Sequence, residues 1–284
     1  MTGIPIVDTH LHIWDPHRLR YAWLDGVPPL NRPHLPADYR AVTVGINIEK
    51  MVFVQCEADF AFFREEVAWV TEQAAADPRI RGIVAWAPLE QGAGARGALA
   101  ALAVNPLLVG IRRIIQFEAD AGFCLRPDFV RGVQLLEEFD LPFELCIKGD
   151  AQFMNTLELV RKCPRVRFVL DHIGKPFIKE KIREPWASCL RELAALPNTC
   201  CKVSGLVNEA AWETWTPGDL QPYLDHVVAC FGFDRLMFGG DWPVCTLAST
   251  YPRWFDTLLN AVSACTAEEK QKLFHDNAEK FYRV

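Results

Sequence analysis

No run of this sequence approaches the ~20 continuous apolar residues that cross a bilayer. The longest candidate, Gly97 to Ile111, is broken by Asn105-Pro106. There is no cluster of lysine and arginine, and a net charge of −6 speaks against a nucleic-acid partner. The ten cysteines contain no Cys-x-x-Cys pair, which excludes zinc-ribbon and thioredoxin-like arrangements. Disulfide frameworks belong to small secreted chains, and these 284 residues open on no signal-peptide pattern. The expectation is a cytoplasmic protein with reduced, mostly buried thiols such as Cys56, Cys146, Cys230 and Cys245. No linker or shift of composition divides the chain, so residues 1–284 read as one domain.

What is present is a repeat of short β-rich runs and longer amphipathic ones. Half of the residues are apolar, enough for a full core. Eight strands are expected at Ile4–His10, Met51–Cys56, Gly82–Ala87, Leu108–Arg112, Pro142–Ile147, Arg167–His172, Thr199–Ser204 and Arg235–Gly240. Helical patterns lie between them, as in Arg126–Phe139, where Phe129, Val133, Leu136 and Phe139 recur at steps of three or four. Eight such units fit a (β/α)8 TIM barrel. The competing architecture, an open doubly wound sheet, usually carries a glycine-rich phosphate turn after its first strand. Here Asp8-Thr9-His10-Leu11-His12 stands in that place. Residues 14–48, with five prolines, are too long for a simple βα loop and are expected to form a lid over the barrel mouth.

In such barrels the reacting groups sit where strands end. Strand alternation turns His10 and His12 the same way, with Asp8 below them, and paired imidazoles at a strand end can share one divalent ion. Alternation also sends Asp171 and His172 to opposite faces, and His172 is taken as the one in the mouth. Asp241, after Gly239-Gly240 and before Trp242-Pro243, is expected beside the ligand as a general base for water. Arg112 and Arg113 face opposite ways, so one of them, taken as Arg112, is expected in the mouth, where a guanidinium can polarise a carbonyl or hold a carboxylate through paired donors. Glu144 points into the barrel, where metal binding, an ion pair with Arg112 or Lys202, and a hydrogen bond to a substrate hydroxyl all remain open. Gln55 and Glu57 share one face, as do Lys202 and Ser204, while Trp14, Trp86 and Trp242 are candidate pocket walls.

Five segments together carry a family resemblance. They are Asp8-Thr9-His10-Leu11-His12-Ile13-Trp14, Asp171-His172-Ile173-Gly174-Lys175-Pro176, Lys202-Val203-Ser204-Gly205, Phe238-Gly239-Gly240-Asp241-Trp242-Pro243 and Asn277-Ala278-Glu279-Lys280-Phe281-Tyr282. Nearly end to end, the chain resembles the amidohydrolase superfamily, and within it the amidohydrolase-2 group of sugar lactonases similar to L-fuconolactonase and L-rhamnonolactonase. The resemblance implies a distorted (β/α)8 barrel and a mononuclear zinc site at most, with His10, His12, His172 and Asp241 as ligands. No lysine suited to carbamylation stands at the end of strand four, so a binuclear site is not implied.

The activity implied is hydrolysis of a sugar lactone, a small-molecule reaction of carbohydrate metabolism such as L-fucose degradation, in a soluble protein that could self-associate. Asp241 would deprotonate the attacking water. His172, Arg112 or zinc would stabilise the oxyanion, and Glu144, Gln55, Glu57 and Lys202 would read sugar hydroxyls. A metal-dependent decarboxylase of an aromatic or dienoic acid is the rival enzyme, and Lys175 and the tryptophans do not discriminate between the two. A barrel that binds a sugar acid without turnover is the third reading, disfavoured by its complete set of histidines with Asp241.

Overall fold

A computed structural model describes residues 3–284. Its strands are β1 (Ile6–Leu11), β2 (Ile48–Val54), β3 (Ile80–Ala85), β4 (Leu108–Arg112), β5 (Phe143–Leu145), β6 (Phe168–Leu170), β7 (Thr199–Val203) and β8 (Leu236–Phe238). They pair in sequence order, each parallel to the next. The sheet closes on itself through Leu11 and Trp242, with Asp241 N donating to His10 O at 2.8 Å and His12 N to Trp242 O at 2.8 Å. This is the expected TIM barrel. All eight strands lie where alternation and β-branched content put them, within about three residues at each end.

Period-two alternation sorts the side chains into two layers. Ile6, Phe53, Ile83, Ile111, Phe143, Phe168 and Phe238 join the large outer cluster packed under the helices. Val7, Val52, Val54, Val84, Val169 and Met237 fill the interior, closed at the N-terminal end of the barrel by Phe281 and Tyr282 of the last helix, Asn277–Tyr282. The helices start and stop as their sequences dictate. Pro217–Phe231, for example, begins behind Thr216 with Asp219 closing a capping box, and ends at Gly232 in the left-handed region, φ 62°.

One register shift corrects an expectation. Between Asp8 and Leu11 the β1–β2 ladder is irregular, so Val7 and the two histidines face inward while Asp8 turns to the helix layer. There its carboxylate accepts from Tyr39 Oη at 2.7 Å, Tyr251 Oη at 2.9 Å and Gly240 N at 2.8 Å. Asp8 pins β1 to β8 and to two helices rather than lying under the imidazoles.

The ten cysteines are all free thiols, most of them buried. No helix among the described residues is long and apolar enough to cross a membrane.

Candidate active site

The C-terminal ends of β1, β4, β6 and β8 converge on one group of side chains. His10 and His12 lie with ring centroids 4.9 Å apart, and the His172 ring lies tilted against His10 at 4.4 Å. Asp241 Oδ1 is 3.4 Å from His12 Nε2 and 3.9 Å from His10 Nε2. The glycines before Asp241 make this approach possible. A Cβ on Gly239 would come within 2.8 Å of His10 Cβ and 2.9 Å of Ser204 Cβ. Asp241 itself sits at φ +55°, turned out of the strand path toward the histidines.

Beyond β6 the chain leaves strand geometry, and alternation fails with it. His172, Ile173, Gly174 and Lys175 all have positive φ, one turn in the left-handed sense. Non-glycine residues adopt this at a cost of roughly 1–2 kcal/mol each, and tertiary contacts must hold it. Ser204 Oγ bonds His172 Nδ1 at 2.9 Å, Trp186 Nε1 donates to Ile173 O at 2.7 Å, and Lys175 N donates to His172 O at 2.9 Å. As a result Asp171 and His172 both enter the site, correcting the expectation that only one could. Asp171 Oδ2 is 3.2 Å from Arg112 Nη1, while its Oδ1 is 3.4 Å from His10 Nδ1 and 3.5 Å from Lys202 Nζ. Sequence reasoning missed Asp171 because β6 ends at Leu170 and alternation no longer applies at the next residue.

Arg112 enters the mouth and Arg113 turns away to Glu90 and Glu118. The Arg112 guanidinium donates to Gln55 O at 2.5 Å and stands 3.3 Å from His10 Nε2, while its Nε has no protein partner. Glu144 and Lys202 are completely buried below this level, so that of the roles left open for Glu144 the structure shows the ion pair with Lys202 and places neither side chain on the cavity wall. They pair with each other at 2.7 Å, and Tyr282 Oη donates to Glu144 from the barrel floor. A carboxylate and an ammonium at that depth satisfy each other, which leaves them out of ligand reach.

A cavity of about 190 Å³ opens above the histidines, lined by His12, Arg112, His172 and Asp241 and walled by Trp14, Trp23, Ile114 and Phe117. Trp14 is therefore a wall as expected, but two other tryptophans are not. Trp86 packs edge-on against Phe60 and tilted against Phe63, and Trp242 packs edge-on against His34 and Tyr39. Gln55 is buried behind the wall and holds Glu57, which lines the cavity, by accepting from its backbone N at 2.6 Å and donating to its Oε1 at 2.7 Å. The 14–48 segment supplies Trp14 and Trp23 to the cavity. It is tied down by Trp14 Nε1 bonding Leu30 O and Arg32 O at 3.1 and 3.0 Å and by Trp23 Nε1 donating to Cys56 O at 2.8 Å. Gln116, Cys146 and Lys175 also line the cavity. The first and last stand in loops, where no periodic signal pointed to them, and Cys146 shares its face with Glu144.

Burial sets the protonation of the group. It pushes His10 below the ordinary imidazole range and lowers His172 to about 4, so both are neutral near pH 7. Burial would raise Asp241, but the surrounding His172, His12 and His10 outweigh it and hold the carboxyl below the usual range. Asp171 is likewise held low against burial by Lys202, His10 and Arg112.

Neutral imidazoles and a carboxylate are a metal donor set. Single donor atoms of His10, His172 and Asp241 lie within 4.8 Å of one another, and His12 joins through Asp241. The His12 pair is informative. Its Nδ1–H donates to Val54 O at 2.8 Å, which leaves Nε2 as a bare lone pair 3.4 Å from a carboxylate oxygen. Two acceptors so placed call for a proton or a cation between them. The residues fit a zinc ion.

Comparison with known proteins places the chain in a family. The family described as Amidohydrolase matches residues 7–284. A curated L-fucono-1,5-lactonase of Burkholderia multivorans is 32% identical, over 98% of this chain and 96% of its own. An L-rhamnono-gamma-lactonase of Scheffersomyces stipitis is 24% identical over the whole of both chains. The crystal structure of an amidohydrolase from Burkholderia multivorans with bound zinc superposes with a TM-score of 0.88 at 32% identity, covering 98% of this chain and 99% of that one. A closed parallel barrel, histidines and an aspartate gathered at its C-terminal mouth, and a family match running almost end to end leave one conclusion: this chain belongs to the amidohydrolase family.

Proposed function

We propose that this enzyme hydrolyses the lactone of a monosaccharide acid, with Asp241 as the general base. The observation that carries the reading is the Asp241 carboxyl, 3.4 Å from His12 Nε2 and lining a small, largely apolar-walled cavity, in a chain 32% identical to an L-fucono-1,5-lactonase along nearly its whole length.

The chemistry follows from the residues. Water approaches the lactone carbonyl carbon from the side of Asp241, which takes one of its protons as the new C–O bond forms. The carbonyl oxygen becomes an oxyanion, and the Arg112 guanidinium lines that cavity with its Nε–H free. When the ring C–O bond breaks, Asp241 returns its proton to the departing ring oxygen, giving the hydroxy acid. Arg112 is pinned by Asp171 and Gln55 O and does not need to reorganise. His10, His12, His172 and Asp241 are the residues that would hold zinc; bound there, it would supply Lewis-acid polarisation of the carbonyl and a lowered water pKa. Trp14 and Trp23 exclude bulk water from one side.

The test is a pH-indicator assay across L- and D-sugar lactones, including L-fucono-1,5-lactone and L-rhamnono-gamma-lactone, with and without chelator. A parallel assay for carbon dioxide release from aromatic acids covers the decarboxylase reading. Asp241→Asn is expected to lower kcat by about 10³-fold or more, with an unchanged circular dichroism spectrum. Near-normal turnover by this variant would reject Asp241 as the base.

A further inference from the structure

The cations at the barrel mouth are almost all matched by carboxylates. Arg112 stands against Asp171 at 3.2 Å, Lys202 against Glu144 at 2.7 Å, Lys148 against Glu209 at 2.7 Å, and Arg113 between Glu90 and Glu118. Lys175 is different. Among the described residues its ammonium makes no ion pair, and its partner is the neutral amide oxygen of Gln116. Both side chains line the cavity next to Arg112 and His172.

The backbone beneath Lys175 adds a second, independent observation. Lys175 closes the left-handed turn at φ +50°, after His172 at +53° and Ile173 at +50°. Lysine gains nothing from this conformation, and strain of this kind persists where the surroundings enforce it, most often at ligand sites. Here the turn delivers an ammonium with unmatched charge into the cavity, three residues after the buried histidine. A neutral lactone offers such a group only uncharged acceptors: its hydroxyl, ring and carbonyl oxygens. A carboxylate offers a charge-assisted hydrogen bond, about twice as strong.

We propose that Lys175 is the carboxylate-binding, specificity-determining residue of this site. The inference rests on the lactonase reading and deepens it. The carboxylate can come from two sources: the group formed as the ring opens, or a fixed carboxylate carried by an acidic sugar lactone.

Calorimetric titration with sodium L-fuconate and kinetics with L-fucono-1,5-lactone and D-glucaro-1,4-lactone separate these sources in wild type, Lys175→Met and Lys175→Arg. In Lys175→Met the fuconate dissociation constant, the glucarolactone KM, or both rise about 10–100-fold, while any rise in the neutral lactone's KM is at least tenfold smaller. Lys175→Arg recovers most of the loss. A rise confined to fuconate assigns the nascent carboxylate, and a rise in the glucarolactone KM assigns the fixed one. Equal losses on neutral and anionic ligands, or no loss on either, overturn the proposal. Fuconate binding needs no turnover, so a wild-type protein that binds fuconate through Lys175 but opens no lactone keeps this inference and rejects the lactonase reading.

Discussion

Asp171 shows how much one side chain can organise. Its two oxygens face Arg112, His10 and Lys202 within 3.2–3.5 Å, and it is fully buried. Replacing it with asparagine keeps the shape and removes the charge, leaving the buried Arg112 without a carboxylate while Lys202 keeps Glu144. Breaking a buried pair in this way costs about 3–5 kcal/mol. Asp171→Asn is therefore expected to lose stability of that order in urea titrations and at least about 100-fold in kcat/KM as Arg112 shifts. Wild-type values in both measurements would make Asp171 a bystander. The sequence led to His10, His12, His172, Arg112 and Asp241 because each ends an apolar run and alternation tells which neighbour it faces. The same rule misplaced Asp8 and Asp171, because a bulge in β1 and a left-handed turn after β6 interrupt alternation at those points. Neither irregularity leaves a mark in hydrophobic patterning.

Among the elements, strands and helices were readable because each repeats its own period, and the loops after them were not. Gln116 and Lys175 line the cavity from such loops. The helix Phe63–Ala76 carries a less visible feature. Its Glu66 is 1% exposed, and Oε1 accepts from Cys56 N at 3.1 Å, tying the helix to the end of β2. Burial pushes this carboxyl up to about 8, against the hydrogen bond from Cys56. An unfolded glutamate titrates near 4.3. Between that value and about 8 the folded protein keeps a proton that the unfolded chain releases, so stability falls as pH rises through the window. Glu66→Gln keeps the acceptor and removes the titration. Its melting temperature is expected to change less between pH 5 and pH 8 than that of wild type, by an amount worth a few kcal/mol. Parallel pH profiles for the two proteins would show that Glu66 stays ionised in the fold.

At the scale of the whole molecule, the site exists only because the barrel closes. Asp241 follows the last strand and His12 follows the first, 229 positions apart by their numbering, yet their side chains stand 3.4 Å apart. Repetition of βα units made the closure foreseeable, but no local pattern gives the distance. A ligand that bridges the first and last strands must therefore stabilise the fold as a unit. Zinc at 100 times its dissociation constant is expected to add about 2.7 kcal/mol, a rise in Tm of roughly 5 °C for a chain of this size. Chelator should reverse the rise. His172→Ala should abolish most of it, since that histidine belongs to the tight donor group with His10 and Asp241. His275→Ala, at the surface cluster with Glu49 and Glu279, should leave it in place. Differential scanning calorimetry on the three proteins separates the sites. A zinc-dependent rise that survives in His172→Ala and disappears in His275→Ala would move the metal out of the mouth and leave Asp241 to act with Arg112 alone.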